Sequence, residues 1–226
     1  WTPLHCAAKE HLEIAQVLLE HGADVAVLTD AGTSAFHYLV RAQVDEAQRG
    51  LHRTVLGLML RQGQALDVQN ESGETPLHQA CLAGRQESIG WLIEHGADLH
   101  RVNKYGETAL HFAARNGNED TVGLLLAAGA APQVEGAYGT PRAVAENFNQ
   151  GHIVRLVDQW VARAAADDSD SDGEEGGTGM ASMGGMASMG MAGSMVGLRE
   201  GGGQAPRGLA ASYGAGLGPP RAASQL

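Results

Sequence analysis

The sequence is short of cysteine and lysine, and each shortage excludes a class of protein. Two cysteines, Cys6 and Cys81, occur among 226 residues, too few for a disulfide framework or a zinc site made of four thiolates. Neither lysine, Lys9 or Lys104, follows a glycine-rich phosphate loop, which argues against a P-loop enzyme. Sparse cysteine also favours a reducing compartment, so we expect a cytoplasmic location, with the nucleus as the alternative.

Basic charge is scarce as well. Fifteen Lys and Arg residues stand against 26 Asp and Glu residues, which gives a formal net charge of −11. The chain contains no basic stripe, so nucleic acid and anionic membrane surfaces are not expected partners. No apolar run approaches the roughly 18 residues that a membrane-spanning helix needs, and we expect no membrane insertion.

A four-residue motif recurs along the first 164 residues. Its copies are Thr2-Pro3-Leu4-His5, Ser34-Ala35-Phe36-His37, Thr75-Pro76-Leu77-His78 and Thr108-Ala109-Leu110-His111, and Thr140-Pro141-Arg142-Ala143 keeps only the first half. The copies begin 32, 41, 33 and 32 residues apart. Thr or Ser followed by Pro predicts a helix start, because the hydroxyl caps unpaired amide groups and Pro needs no donor there.

A second motif runs in step with the first. His21-Gly22-Ala23-Asp24 and His95-Gly96-Ala97-Asp98 follow apolar runs that predict a second helix in each period. Glycines that permit positive φ are expected to end these second helices, and they are Gly22, Gly63, Gly96 and Gly129. Asn70-Glu71-Ser72-Gly73 and Asn103-Lys104-Tyr105-Gly106 are turn sequences.

This pattern resembles the ankyrin repeat, whose opening motif and period of about 33 residues it shares. The resemblance implies an all-α solenoid of about five stacked helix–turn–helix repeats, each stable only through stacking. We place the ankyrin-repeat domain at residues 1–164, with repeats at about 1–28, 29–68, 70–102, 103–135 and 136–164. Residues 165–226 form an acidic, then Gly/Ala/Met/Ser-rich segment that we expect to be a disordered low-complexity tail.

The pattern is broken at three places. The 41-residue spacing puts about eight extra residues between Val40 and Leu51, which predicts a lengthened first helix and a longer loop before a helix over Leu51–Arg61. This segment is either a tolerated surface insertion or a partner-specific protrusion. Arg142 and Ala143 replace Leu and His and predict a C-terminal cap. Trp1 directly precedes Thr2, and we therefore expect the chain to be part of a longer protein.

Histidine and cysteine are the residues that could carry chemistry. The resemblance implies structural roles for His5, His37, His78 and His111, and equivalent positions in stacked repeats lie about 10 Å apart, too far to share a metal ion. We expect Cys6 and Cys81 to be buried thiols on first helices. With no nucleophile placed beside a base, we expect no catalysis, no cofactor, no metal and no small-molecule substrate.

The remaining candidate is a recognition surface. In ankyrin proteins, the loop tips and the exposed side of the first helices line a concave groove that binds partner proteins. The resemblance carries this role to Glu71, Ser72, Glu74, Leu82, Ala83, Lys104, Tyr105, Glu107, Arg115, Asn116 and Tyr138. Tyr105, Arg115 and Tyr138 are the best anchors, unless they merely cover neighbouring backbone. Replacing Tyr105 and Arg115 by alanine is then expected to weaken partner capture without lowering the melting temperature.

The favoured hypothesis is a non-catalytic protein–protein interaction module, a scaffold or adaptor. The alternative is the regulatory arm of a multidomain signalling enzyme whose catalytic domain lies elsewhere, and a weaker one is binding of basic proteins by the acidic tail. Within the tail, Ser169 and Ser171 are candidates for acid-directed phosphorylation. Ser224 and Leu226 resemble a C-terminal PDZ ligand.

Overall fold

The computed structural model describes residues 1–169, and this range consists of five helix pairs joined by turns. The first helices of the pairs are Pro3–Glu10 (α1), Ala35–Arg41 (α3), Pro76–Ala83 (α5), Ala109–Asn116 (α7) and Pro141–Asn147 (α9). The second helices are Leu12–Glu20 (α2), Arg49–Arg61 (α4), Gln86–Glu94 (α6), Glu119–Ala127 (α8) and Gly151–Ser169 (α10). The predicted all-α solenoid is confirmed.

The helices stack in two rows. Each first helix packs on the next, from α1 through α9, and in the second row α2 packs on α4 and α8 packs on both α6 and α10. The core lies between the rows, where small side chains of the first helices meet larger ones of the second. Its buried members include Ala7, Ala8, Ala80, Ala113, Ala114, Leu19, Ile89, Leu92, Val122 and Leu125.

The helix boundaries follow the predicted signals. A Ser or Thr with extended backbone occupies the N-cap of every first helix, and Pro takes the first helical position in α1, α5 and α9. The glycines at the ends of the second helices have positive φ, as predicted, at Gly22, Gly63, Gly96 and Gly129. These signals are local, which is why the sequence alone could place them.

One of the two cysteine predictions is wrong. Cys81 is buried, as expected, whereas Cys6 is exposed. The two residues occupy different positions in their repeats: Cys81 is the sixth residue after Thr75, and Cys6 is the fourth after Thr2. The buried residue equivalent to Cys81 in α1 is Ala8.

The second repeat also differs from its prediction. Helix α3 ends at Arg41 after seven residues, so it is not lengthened. Ala42 has an extended backbone, and the extra residues form the predicted longer loop, over residues 42–48. Helix α4 starts at Arg49 and has 13 residues, against nine in α2, α6 and α8.

Helix α4 is joined to the next repeat by one long side chain. Arg53 reaches Glu87 at 3.0 Å and Glu94 at 2.5 Å, both on α6. Helix α6 itself packs against α8 and α3. Arg53 therefore ties α4 to both the first and the last turn of α6.

The last helix pair, α9 and α10, has Arg142 and Ala143 at the motif positions of Leu and His, and Arg142 makes polar contacts there. Arg142 binds Asp158 at 2.6 Å and Glu146 at 2.7 Å, which ties α9 to α10. Helix α10 runs to Ser169, past residue 164, where the sequence places the end of the repeat domain. Residues 164–166 are three alanines, the strongest helix former.

The remaining tail predictions, Ser171, Ser224 and Leu226 among them, lie outside the described residues. Ser169 is the last described residue, and its phosphorylation stays a prediction. Within residues 1–169, no helix is long and apolar enough to cross a bilayer.

Candidate functional site

Two of the turns between successive pairs are held by an asparagine at their start. Asn70 Oδ1 accepts hydrogen bonds from the amides of Ser72 and Glu74, each at 2.9 Å. Asn103 Oδ1 accepts from the amides of Tyr105 and Glu107, also at 2.9 Å. An Asn side chain that closes its own turn in this way fixes the backbone, so the two middle residues of each turn project in a defined direction.

Neighbouring turns are hydrogen-bonded to one another along the stack. The amide of Glu71 donates to the carbonyl of Ala31 at 3.2 Å, and that of Lys104 donates to the carbonyl of Ser72 at 3.0 Å. The amide of Ala137 donates to the carbonyl of Tyr105 at 2.8 Å. These bonds place the tips side by side as one continuous edge.

Gly73 shows how closely the tips approach. Its φ is +76°, and a Cβ at this position would lie 2.9 Å from the amide nitrogen of Lys104. A larger residue is therefore excluded both by its backbone conformation and by the neighbouring turn.

The predicted partner-binding residues divide by exposure. Five are exposed: Glu71, Lys104, Tyr105, Asn116 and Tyr138. Ser72, Leu82, Ala83 and Arg115 are half-buried, and Glu74 and Glu107 are buried. Tyr105 and Tyr138 are 43% and 59% exposed, which is high for side chains of their size.

The assignment of Glu74 and Glu107 to the exposed surface is wrong. The Glu107 side chain is 1% exposed, and it accepts from Asn103 Nδ2 at 3.2 Å and Arg115 Nη2 at 2.5 Å. Glu74 accepts from the amide groups of Asn70 and Gln79. Each carboxylate directly follows the turn glycine and points back beneath the tip, where these donors compensate its burial.

Arg115 holds neighbouring side chains in place, a role that the sequence did not predict. Its side chain is 18% exposed and forms an ion pair with the buried Glu107. Its Cζ atom lies 5.3 Å from the ring centre of Phe112, 5.4 Å from Phe148 and 5.7 Å from Tyr138. Because Arg115 pairs a buried carboxylate, we expect alanine here to lower the melting temperature, contrary to the expectation from the sequence.

The motif histidines link each repeat to the next, as predicted. In each ring, Nδ1 lies 2.8–2.9 Å from the hydroxyl of the opening Thr or Ser. Nε2–H donates to a carbonyl of the following repeat, at Thr33, Glu74, Glu107 and Gly139 in turn, over 3.0–3.2 Å. Since a carbonyl only accepts, the hydrogen is on Nε2 and Nδ1 keeps its lone pair.

This arrangement requires neutral rings. Burial lowers the pKa of His37 and that of His78 to about 4 each. Burial also lowers the pKa of His5 and of His111. The four histidines therefore serve the stack as uncharged hydrogen-bonding groups.

Within residues 1–169, no three His, Cys, Asp or Glu side chains converge in a way that could hold a metal ion. Burial raises the pKa of the Cys81 thiol, because it disfavours the charged thiolate.

Several residues that shape the surface were missed from the sequence. Asn70 and Asn103 brace the tips, and Phe148 packs beside Arg115. A signal existed for the asparagines, because Asn, Gly, Glu and Thr recur in the same order 33 residues apart, from Asn70 and from Asn103. No local pattern could have shown that Phe148 lies beside Arg115.

Comparison with protein-family models agrees with this architecture. Residues 44–135 match a model described as ankyrin repeats (3 copies), and residues 1–30 match one described as ankyrin repeat. Together the two ranges cover more than half of the chain.

Proposed function

The chain belongs to the ankyrin-repeat family, and on that premise we propose that it is a scaffold or adaptor that binds a partner protein through its turn tips and first helices. Ankyrin repeats are generally protein–protein interaction modules, and ankyrin-repeat domains are typically non-catalytic. The proposal specifies the surface within this chain and its anchor residues.

The observation that carries the proposal is the pair of exposed tyrosines on adjacent tips. Tyr105 and Tyr138 are 43% and 59% exposed, and the Ala137–Tyr105 backbone hydrogen bond of 2.8 Å joins their turns. Tyrosine offers a large contact area with little conformational entropy to lose, and it is enriched among interface hot spots. Two such rings on a braced edge favour a protein partner.

Tyr138 is supported by a charged side chain. Tyr138 lies beside Arg115, which is held by Glu107, so its ring rests on a fixed guanidinium. Arg115 thus positions an anchor and does not itself project into solvent.

Charged residues flank the tyrosines. Lys104 is exposed on the same tip as Tyr105, and Glu71 is exposed on the preceding tip. Asn116 lies at the C-terminal end of α7, roughly 10 Å along the helix axis from the end that follows the Tyr105 turn. Opposite charges around an aromatic centre favour one orientation of a bound polypeptide, because charge pairs at the rim set specificity and association rate.

A capture experiment with matched variants tests the proposal. The immobilised chain is exposed to an extract of its source cells, and retained proteins are quantified for wild type, for Tyr105→Ser with Tyr138→Ser, and for Leu124→Ser. Leu124 is an exposed apolar residue of α8, on a second helix, and so controls for loss of surface hydrophobicity.

We expect the double tyrosine variant to lose at least one abundant protein that wild type and Leu124→Ser both retain. Melting temperatures of all three chains should agree within about 3 °C, since exposed substitutions change stability little. Retention of the same proteins by all three chains would refute the proposed surface.

A further inference from the structure

The inserted loop of the second repeat lines a cavity at the opposite end of the helix pairs from the turn tips. Its walls are loop residues 42–44, Arg49, residues 84–88 and Asn118, which line an open cavity of about 290 Å³. Residues 42–44, 84–85 and 118 all lie in turns within helix pairs. The cavity therefore lies away from the turn tips, and it borders the first-helix part of the proposed partner surface at Asn116, whose Nδ2 would lie 3.0 Å from a Cβ at Gly84.

The N-terminus of α6 opens into this cavity without a side-chain cap. Its N-cap residue is Arg85, whose side chain makes no capping bond to a described residue. The equivalent residue of α8 is Asn118, whose Oδ1 accepts from the amide of Thr121 at 3.1 Å. In α6 the first helical bond is donated by Ile89 to Arg85 at 2.9 Å, so the amides of residues 86–88 carry the positive end of the helix dipole.

A buried hydroxyl points to a ligand at the same place. Ser88 is fully buried and lines the cavity, and its Oγ has no partner among the described residues. Buried polar atoms are nearly always hydrogen-bonded, so an orphan calls for an explanation. Thr121 in α8 also has an unpartnered hydroxyl, but there Asn118 already caps the helix.

Two arginines add positive charge to the cavity. Arg49 begins α4, whose N-cap residue Gln48 makes no side-chain capping bond but donates its amide to Asp45 Oδ1 at 2.8 Å. The Arg49 guanidinium lies 3.9 Å from the exposed Glu46. Arg85 Nε donates to the carbonyl of Arg41 at 3.0 Å, which fixes the direction of that side chain. A cation beside a helix N-terminus is unfavourable unless an anion compensates both.

Glu87 is the one acidic residue in the lining, counted over the described residues. Its Oε1 accepts from Arg53 at 3.0 Å, so that arginine compensates its charge. The donors left to meet a ligand are guanidinium, hydroxyl and helix-terminal amide groups. The lining also contains the side-chain amides of Gln43, Gln86 and Asn118, and Gln86 Nε2 already donates to Asp120 at 2.9 Å.

We propose that this cavity binds a phosphate group, held by Arg49, Arg85, the Ser88 hydroxyl and the first amides of α6. A phosphate carries close to two negative charges and several acceptor oxygens, which suits two guanidiniums and a helix N-terminus together. Phosphorylated protein side chains and free inorganic phosphate share this chemistry. The site does not depend on the proposed partner surface.

Nuclear magnetic resonance on the ¹⁵N-labelled full chain tests the site. Inorganic phosphate and, separately, N-acetyl-phosphoserine amide replace chloride at constant ionic strength and pH 7.5. Saturable shifts are expected at the amides of residues 86–88. Saturation at lower phosphoserine concentration would assign the site to phosphorylated side chains, and the reverse order would assign it to free phosphate.

Variants separate binding from folding. Arg49→Gln and Arg85→Asn should each weaken the apparent affinity roughly tenfold, as expected for losing one hydrogen bond to a charged group. Arg85→Asn also places at the start of α6 the residue that caps α8, which supports the fold. Arg61→Gln, an exposed arginine at the far end of α4, is the matched control and should bind as wild type does.

Two results would overturn the proposal. One is the absence of saturable shifts at residues 86–88 of the wild-type chain with both probes. The other is equal affinity in Arg61→Gln, Arg49→Gln and Arg85→Asn, which would show that the phosphate does not contact the two arginines.

Discussion

At the scale of single residues, two buried carboxylates lie beneath the turn tips and help to hold them in place. Glu74 and Glu107 occupy equivalent positions, yet they are compensated differently. Amide groups of Asn70 and Gln79 serve Glu74, whereas Arg115 brings a full positive charge to Glu107. The tip of the fourth repeat therefore depends on an ion pair.

Replacing Arg115 by leucine tests that dependence. Removing one partner of a buried pair leaves the other charge uncompensated, and the partial exposure of Arg115 lessens the penalty. We expect Arg115→Leu to lower the free energy of unfolding by about 2 kcal/mol, measured by urea denaturation.

The paired change Arg115→Leu with Glu107→Gln serves as the control. It removes the uncompensated charge, so it should be more stable than Arg115→Leu alone. If the single variant is as stable as wild type, Arg115 does not support Glu107 as described.

At the scale of helices, the first row is tied together by neutral histidines. Each ring joins the start of its own helix to a carbonyl of the next repeat. Protonation would place a hydrogen on Nδ1, which now accepts from the backbone amide of Ser34 at 3.3 Å in His37 and of Thr75 at 3.1 Å in His78. The stacking of first helices is therefore sensitive to acid.

The pH dependence follows from the lowered pKa values. The folded pKa of His37 and that of His78 are about 4, against 6.5 for an ordinary histidine side chain. Between these values the unfolded chain binds more protons, so stability is full above pH 6.5 and falls as the pH drops toward 4. Each ring accounts for roughly 3 kcal/mol over that range, at about 1.4 kcal/mol per pH unit.

Melting temperatures at pH 7.5, 6.5, 5.5 and 5.0 measure this loss. His78→Gln should show a shallower decline than wild type, whatever its stability at pH 7.5. His21→Gln changes an exposed histidine and should keep the wild-type slope. Equal slopes in all three chains would contradict the role given to His78.

At the scale of the whole molecule, the two proposed sites use opposite ends of the helix pairs. Turns between pairs present Tyr105 and Tyr138, and turns within pairs form the cavity near Arg49 and Arg85. The rows between them are held by core packing and by the histidines. The two tyrosines therefore lie away from the cavity, which the first-helix residue Asn116 borders.

The sequence predicted those features that depend on neighbouring residues in the chain. The period, the helix starts at Thr75 and Thr108 and the turn glycines are of this kind. It did not predict that Glu107 would be buried or that Arg115 would pair with it, because the direction of a side chain after a turn depends on the next repeat. The end of α3 at Arg41 was also missed, since nothing in the following residues resembles a strong helix terminator.

The central claim, that the tip and first-helix surface binds a protein, is tested most directly by site-specific photo-crosslinking. The photoreactive p-benzoylphenylalanine replaces Tyr105 or Tyr138 in separate chains, and Leu124 or Val17 in controls on the second helices, where both residues are exposed. After irradiation in source-cell extract, we predict a discrete crosslinked partner from positions 105 and 138, and none from 124 and 17. Crosslinking of the same protein from the second-helix positions alone would contradict the account.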